Sequence, residues 1–263
     1  RFLFLCTMLA ACDVVTEPID VYLAPDPEAF AASFPHDSPM AEWAVGVAFI
    51  RENRIVLRAH GSALFSLDET FDHEVSHMLV HALVGEGNLP RWLSEGVAIW
   101  QAGESVLDRL LSAQRATLSD SLIPLTELEK NFPRKGPAVS LAYAESALFV
   151  RWLEREYGRS ALPVLLRSLS MGRTVEDAFV ETYGLGLAVL EQRWRRGLEA
   201  QAPSTLITLI SDPNVTWIAL SVLFVAVSLV HLRRRREQLE ELAAREAQVD
   251  EAFAATKEPE ILH

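Results

Sequence analysis

His73-Glu74-Val75-Ser76-His77 has the form HExxH. On an α-helix, residues four apart lie one turn apart on one face, so His73 and His77 can bring both imidazoles to a single zinc ion. Glu74 points about 100° away around the helix. It cannot take the same coordination position, but it can reach a water on that ion. Zinc would supply Lewis acidity and Glu74 a general base, which together can hydrolyse a peptide bond. The competing reading of these five residues is a surface helix with two solvated histidines.

A catalytic zinc takes three protein ligands and keeps one position open for water. A further ligand is expected on a second helix, because helices hold ligands more rigidly than loops. The run Leu89-Pro90-Arg91-Trp92-Leu93-Ser94-Glu95-Gly96-Val97-Ala98 supplies a candidate. Pro90 suits the first turn of a helix, and Trp92, Leu93, Val97 and Ile99 give it an apolar side. Glu95 sits inside that run, where a carboxylate is costly unless paired or bound to metal. It is either the third ligand or a partner of Arg91. His81 extends the stripe of His73 and His77, but the outer pair is two turns apart, about 12 Å of rise, too far for one ion on an unbroken helix. Gly85, the first glycine after the motif, comes too late to break it. His81 is therefore read as lying outside the ligand set.

HEVSH followed by PRWLSEGVA resembles the gluzincin metallopeptidases, the thermolysin-like zincins whose third ligand is a downstream Glu. Within them it is most similar to a bacterial, membrane-anchored peptidase MA-like group that carries this Glu in a PxWLxEGxA segment. The resemblance runs from the strand near Val21 to Trp194. It implies that His73, His77 and Glu95 bind Zn2+ and that Glu74 is the base. One position departs from the pattern. Where thermolysin-like enzymes place a carboxylate one turn past the third ligand to orient a zinc-bound His, this chain has Ile99. Asp72 or a backbone carbonyl would have to do that work, since such partners fix the ligand tautomer. Tyr143 is the candidate donor to the oxyanion, with packing on an amphipathic helix as its other reading. The strand Arg54–Arg58 is expected to be the edge that pairs with an extended substrate, as in this superfamily.

Half of the chain is apolar, and two segments explain the excess. Residues 1–12 carry one positive charge and then an apolar run of signal-peptide length. Leu9-Ala10-Ala11-Cys12 resembles a lipobox, which gives a lipoprotein as one reading and an ordinary signal as the other. Cys6 and Cys12 are the only cysteines, so a folded domain after Cys12 is expected to lack a disulfide. The second segment, 215–232, has no Asp, Glu, Lys or Arg and precedes Arg233-Arg234-Arg235-Arg236. That pattern predicts a single-pass transmembrane helix with the Arg cluster in the cytoplasm. The catalytic domain would then lie outside the cytoplasm at a bacterial cell membrane, with the lipid bilayer as one partner and a protein or peptide substrate as the other. Net charge is −12. An acidic chain argues against nucleic acid, whose binding is driven by phosphate neutralisation. No feature selects an oligomeric state.

The expected organisation is a signal or lipobox-like segment 1–12, a metallopeptidase-like domain 13–203, a linker 204–214, the span 215–232 and a charged helical tail 233–263. Ser66-Leu67-Asp68-Glu69 is a capping box that starts the HEVSH helix. Strands are expected over 14–24, 44–50 and 54–59, the last two as a hairpin around Arg51-Glu52-Asn53. Helices are expected near 27–34, 104–117, 138–157, 160–170, 174–182 and 186–200, with a loop from Pro124 to Pro137. The fold class is α+β: a small sheet beside the active-site helix, a mostly helical second half, and the C-terminal transmembrane helix. Two other functions fit these residues. One is a non-catalytic, zinc-stabilised tether or adaptor on the same scaffold, favoured by Ile99. The other is a metal-free protein acting through its C-terminal segments.

Overall fold

The structure is a computed structural model. It describes residues 1–34, 44–59, 66–85, 87–104, 107–134 and 136–200, and within the C-terminal part 217–218, 220–229, 231 and 235. The chain divides into two units, Arg1–Ala202 and Pro203–His263.

In the first unit the order is α1 (Phe2–Met8), β1 (Asp20–Ala24), α2 (Pro27–Ala32), β2 (Gly46–Phe49), β3 (Arg54–Arg58), α3 (Leu67–Val84), α4 (Arg91–Ala102), α5 (Leu107–Leu118), α6 (Leu125–Lys130), α7 (Pro137–Tyr157), α8 (Ala161–Ser170), α9 (Val175–Tyr183) and α10 (Leu187–Ala200). The strands form one sheet in the order β1-β3-β2. β1 runs parallel to β3, with Val21 opposite Ile55, and β2 antiparallel to it, with Val47 opposite Val56. β3 takes the centre because both of its faces are covered. Ile55 and Leu57 join the main core, while Val56 packs on the other side with Ala24 and Phe30. Side chains alternate across a strand, so three consecutive buried residues need cover on both faces. Asn53, at φ 48°, makes the left-handed turn between β2 and β3, a conformation that Asn tolerates better than most residues.

The main core lies among the helices. Trp92 of α4, Phe149 of α7 and Phe179 of α9 are wholly buried. Their rings meet at 5.7 and 6.2 Å, and Trp194 of α10 adds an edge-on contact to Phe149 at 5.6 Å. Such pairs stabilise beyond the area they bury, by about 0.5–1.5 kcal/mol each. The stretch read as a loop after Pro124 holds α6. Leu125 and Leu128, three apart on one helical face, are both buried there.

The expected fold class is corrected on two counts. The first unit is mostly helical rather than α+β, because its sheet stops at three strands of four or five residues. Residues 14–19, expected to extend β1, are not strand. Among the described residues, moreover, no helix is long and apolar enough to cross a membrane. A span needs about 20 consecutive predominantly apolar residues. Within 215–232 the described helical residues are 217–218, 220–229 and 231, which fall short of that. The linker expected over 204–214 and all of the tail 233–263 except Arg235 lie outside the described residues.

The N-terminal segment also differs from expectation. α1 is packed into the domain: Leu5, Cys6, Leu9 and Ala11 are buried in the main core, and Gln101 Nε2 of α4 donates to the Leu5 carbonyl at 2.9 Å. Cys6 and Cys12 form a disulfide. The Cys12 sulfur is thereby bonded to protein rather than free for acylation. The pairing escaped the sequence reading because both cysteines were assigned to a segment apart from the fold.

Candidate metal centre

α3 begins as its sequence dictates. Ser66 Oγ accepts from the Glu69 amide at 3.1 Å, and Glu69 Oε2 accepts from the Ser66 amide at 3.0 Å. This reciprocal cap satisfies two amides that the first turn leaves open. Val75, Leu79 and Val80 then point into the core, which turns His73 and His77 towards α4. α4 starts at Arg91 with Pro90 as its N-cap, and its fifth residue is Glu95. A methyl group on Gly96 would stand 2.5 Å from the Ser146 carbonyl oxygen of α7. Glycine therefore lets α4 sit close on α7, and that crossing sets the position of Glu95.

His73, His77 and Glu95 come together. The two Nε2 atoms are 3.1 Å apart. Glu95 Oε2 lies 3.7 Å from His73 Nε2 and 3.5 Å from His77 Nε2. Ligands about 2.0–2.1 Å from a tetrahedral zinc are separated by about 3.3 Å, so this triangle has the size of one face of such a site. The other ring nitrogens are engaged. Glu104 Oε1 accepts from His73 Nδ1 at 2.7 Å, and His77 Nδ1 meets Ser94 Oγ at 3.0 Å. His73 Nδ1 thus faces Glu104, and its Nε2 faces the partner nitrogen and a carboxylate oxygen. Three potential ligand atoms converging at these distances could hold one metal ion.

The electrostatics agree. Burial alone would lower the His73 pKa, but its hydrogen bonds to Glu104 and Glu95 and the charge of Glu74 override it and raise it to about 10. Burial likewise works against the Glu95 carboxylate, yet the hydrogen bonds and charge of His73 and His77 hold it well below the ordinary carboxylate range. Without a metal the site keeps a proton where a divalent ion would place its charge. These donors, two imidazoles and one carboxylate, are those of a catalytic rather than a structural zinc site.

Glu104, which the HExxH pattern does not point to, is the carboxylate that meets His73. Ile99, one turn past Glu95, is buried and apolar. Asp72, the expected substitute, pairs instead with Arg1. Glu104 reaches His73 because α4 ends at Ala102 and Gly103 turns the chain through a left-handed φ of 69°. Arg109 of α5 pairs with the same carboxylate. The available signal was an acid directly after a helix-ending glycine, followed five residues later by an arginine.

Glu74 is buried beside β2. Burial raises its pKa above the ordinary range; the charges of His73 and His77 and a hydrogen bond from the Ala48 amide oppose this. A methyl group on Gly46 would stand 2.6 Å from Thr70 Cγ2 and 3.0 Å from Glu74 Cγ, so glycine lets the strand pass over α3. The sheet edge beside the site is thus β2, and the expectation for Arg54–Arg58 is corrected: β3 pairs on both sides.

Tyr143 of α7 lies next to the cluster. Its hydroxyl donates to Glu95 Oε1 at 3.3 Å and accepts from Arg91 Nη2 at 3.4 Å. Arg91 also donates from Nε to Glu95 Oε1 at 3.2 Å and lies over the Phe132 ring at 4.7 Å. Glu95 thus turns one oxygen to the histidines and bonds the other to Arg91. His81 is outside the cluster of potential metal ligands. A surface cleft of about 510 Å³, lined among others by Phe4, Met8, Arg159 and Val164, shares no residue with it.

Comparison with curated proteins and with solved structures found no match. A family model does match, over residues 8–200, a stretch that includes α3, α4, α7 and every residue of the cluster. That model covers most of the chain, and the chain belongs to the family it describes, the Peptidase MA superfamily.

Proposed function

We propose that the protein is a zinc-dependent peptidase that hydrolyses peptide bonds in protein or peptide substrates. The observation that carries this reading is the triangle of His73 Nε2, His77 Nε2 and Glu95 Oε2, with edges of 3.1–3.7 Å. Zinc bound there would polarise the scissile carbonyl and lower the pKa of the attacking water. Glu74 takes the proton from that water and delivers it to the leaving amine. Its place beside His73, buried against β2, suits a group that must both accept and return a proton. Tyr143, with Arg91 beside it, offers an O–H to the oxyanion once substrate draws it away from Glu95. The side chains that hold the histidines, Glu104 and Ser94, keep Nε2 of each ring directed inward.

A non-catalytic zinc module was the alternative left open by Ile99. Glu104 supplies the orienting carboxylate that Ile99 lacks, which favours the catalytic reading. The Cys6–Cys12 disulfide supports a location outside the cytoplasm, since disulfides persist in oxidising compartments. The test is Glu74→Gln in the zinc-loaded protein, assayed on a mixed peptide library. Zinc should remain near one per chain while cleavage falls by about two to four orders of magnitude. Undiminished cleavage removes Glu74 from the mechanism, and a wild type without bound zinc removes the proposal.

A further inference from the structure

We infer that Glu104, braced by Arg109, is a positioning residue for the metal centre. It fixes the tautomer and ring orientation of His73 from a place in the chain that the motif does not predict. The inference rests on the zinc reading above and concerns how this chain builds that site.

The argument begins with what His73 can bond. Its Nε2 belongs to the ligand triangle, so its orientation depends on Nδ1. An ionised carboxylate can only accept, so the 2.7 Å contact with Glu104 Oε1 keeps a hydrogen on Nδ1, and it is Nε2 that must give up its proton to bind a metal. The other groups near α3 and α4 are committed elsewhere. Asp72 is held by Arg1. Gln101 accepts from Ser76 Oγ at 2.7 Å and donates to the Leu5 carbonyl. Ser94 serves His77. Glu104 is itself buried, and Arg109 pairs with its other oxygen.

The two histidines are treated unequally. His73 is given a carboxylate and His77 a hydroxyl. A carboxylate partner makes an imidazole a stronger donor to a metal. Arg109 offsets much of the charge that Glu104 adds, so the centre gains a fixed ring without a further net negative charge beside Glu74 and Glu95. Gly103 makes the arrangement possible, because its left-handed turn brings residue 104 back over α3.

The test uses the full chain and measures metal binding rather than activity. Zinc affinity is obtained by competition with a chromophoric chelator, and site geometry from the visible spectrum of the cobalt-substituted protein. Glu104→Ala is expected to weaken zinc binding about 10–100-fold and to shift the cobalt bands. Glu104→Gln retains an acceptor for Nδ1–H but not the charge, and should recover part of the affinity. Arg109→Gln is expected to weaken binding less than Glu104→Ala. Should the alanine variant fail to fold, judged by circular dichroism of the metal-free protein, the isosteric glutamine variant carries the test, with a several-fold loss and a shifted spectrum expected. Wild-type affinity with an unchanged cobalt spectrum in a folded Glu104 variant overturns the inference and leaves the peptidase reading intact. A wild type that binds neither metal overturns both.

Discussion

Gly96 of α4 rests against the backbone of Ser146 in α7, so closely that an added methyl group would lie 2.5 Å from its carbonyl oxygen and 2.8 Å from its carbonyl carbon. Backbone cannot swing aside as a side-chain tip can. Intrinsic helix preference would favour alanine by about 1 kcal/mol, but forcing a methyl into a packed contact costs about 1–3 kcal/mol. Gly96→Ala should therefore be destabilised in chemical denaturation. It should also bind zinc more weakly, because Glu95 moves with α4. A more stable Gly96→Ala protein would contradict the close crossing.

Gly46 offers a second steric test, aimed at the base. A methyl there meets Thr70 Cγ2 at 2.6 Å, Leu57 Cδ2 at 2.9 Å and Glu74 Cγ at 3.0 Å. Gly46→Ala should displace Glu74 while leaving His73, His77 and Glu95 in place. Peptide cleavage is expected to fall about 10-fold or more, as small misplacements of catalytic groups do, with zinc content unchanged. Equal loss of metal and activity would show that the effect spreads beyond Glu74.

Metal removal should lower stability as well as abolish cleavage. An ion bound to His73, His77 and Glu95 would tie α3 to α4. Zinc at about 100 times its Kd should add about 2.7 kcal/mol to the unfolding free energy. Thermal denaturation before and after treatment with a chelator, with zinc added back, measures this. A melting temperature indifferent to zinc would mean that the cluster takes up no metal.

Glu145 of α7 gives a pH prediction away from the cluster. Its Oε1 accepts from the Ile123 amide at 2.9 Å, and its Oε2 is buried without a partner. Burial is the main reason its pKa rises to about 8; the Ile123 amide and Arg195 oppose this and Glu191 adds to it. The folded state thus holds a proton that the unfolded chain releases near pH 4.5. The associated stability is fully present below that pH and is lost as pH rises through about 8. Glu145→Gln mimics the protonated form. It should be more stable than wild type at pH 9, by on the order of 1–3 kcal/mol, the cost of a buried unpaired polar group, with the difference vanishing below pH 5. Parallel denaturation curves at the two pH values decide it.

Much of the centre could be read from local sequence. Helical spacing aligns His73 with His77, the Ser66–Glu69 box starts their helix, and an acid inside the apolar run 91–99 marks Glu95. Fold class was less legible. Alternation from Ile19 to Leu23 marks a strand but not where it starts, and β1 begins only at Asp20. Glu104 was invisible for a different reason. Its partner His73 lies 31 residues away, and only the turn at Gly103 brings the two together.

By itself, the sequence determined which atoms could bind a metal, because residue type and helical periodicity are local properties. Tertiary structure decided which of them meet. α4 crosses α7 at Gly96 and so sets Glu95 opposite the histidines, Gly103 aims Glu104 at His73, and α1 packs Leu5 and Cys6 into the core with Cys6 bonded to Cys12. Each of these depends on packing between segments far apart in the chain, which no local pattern encodes.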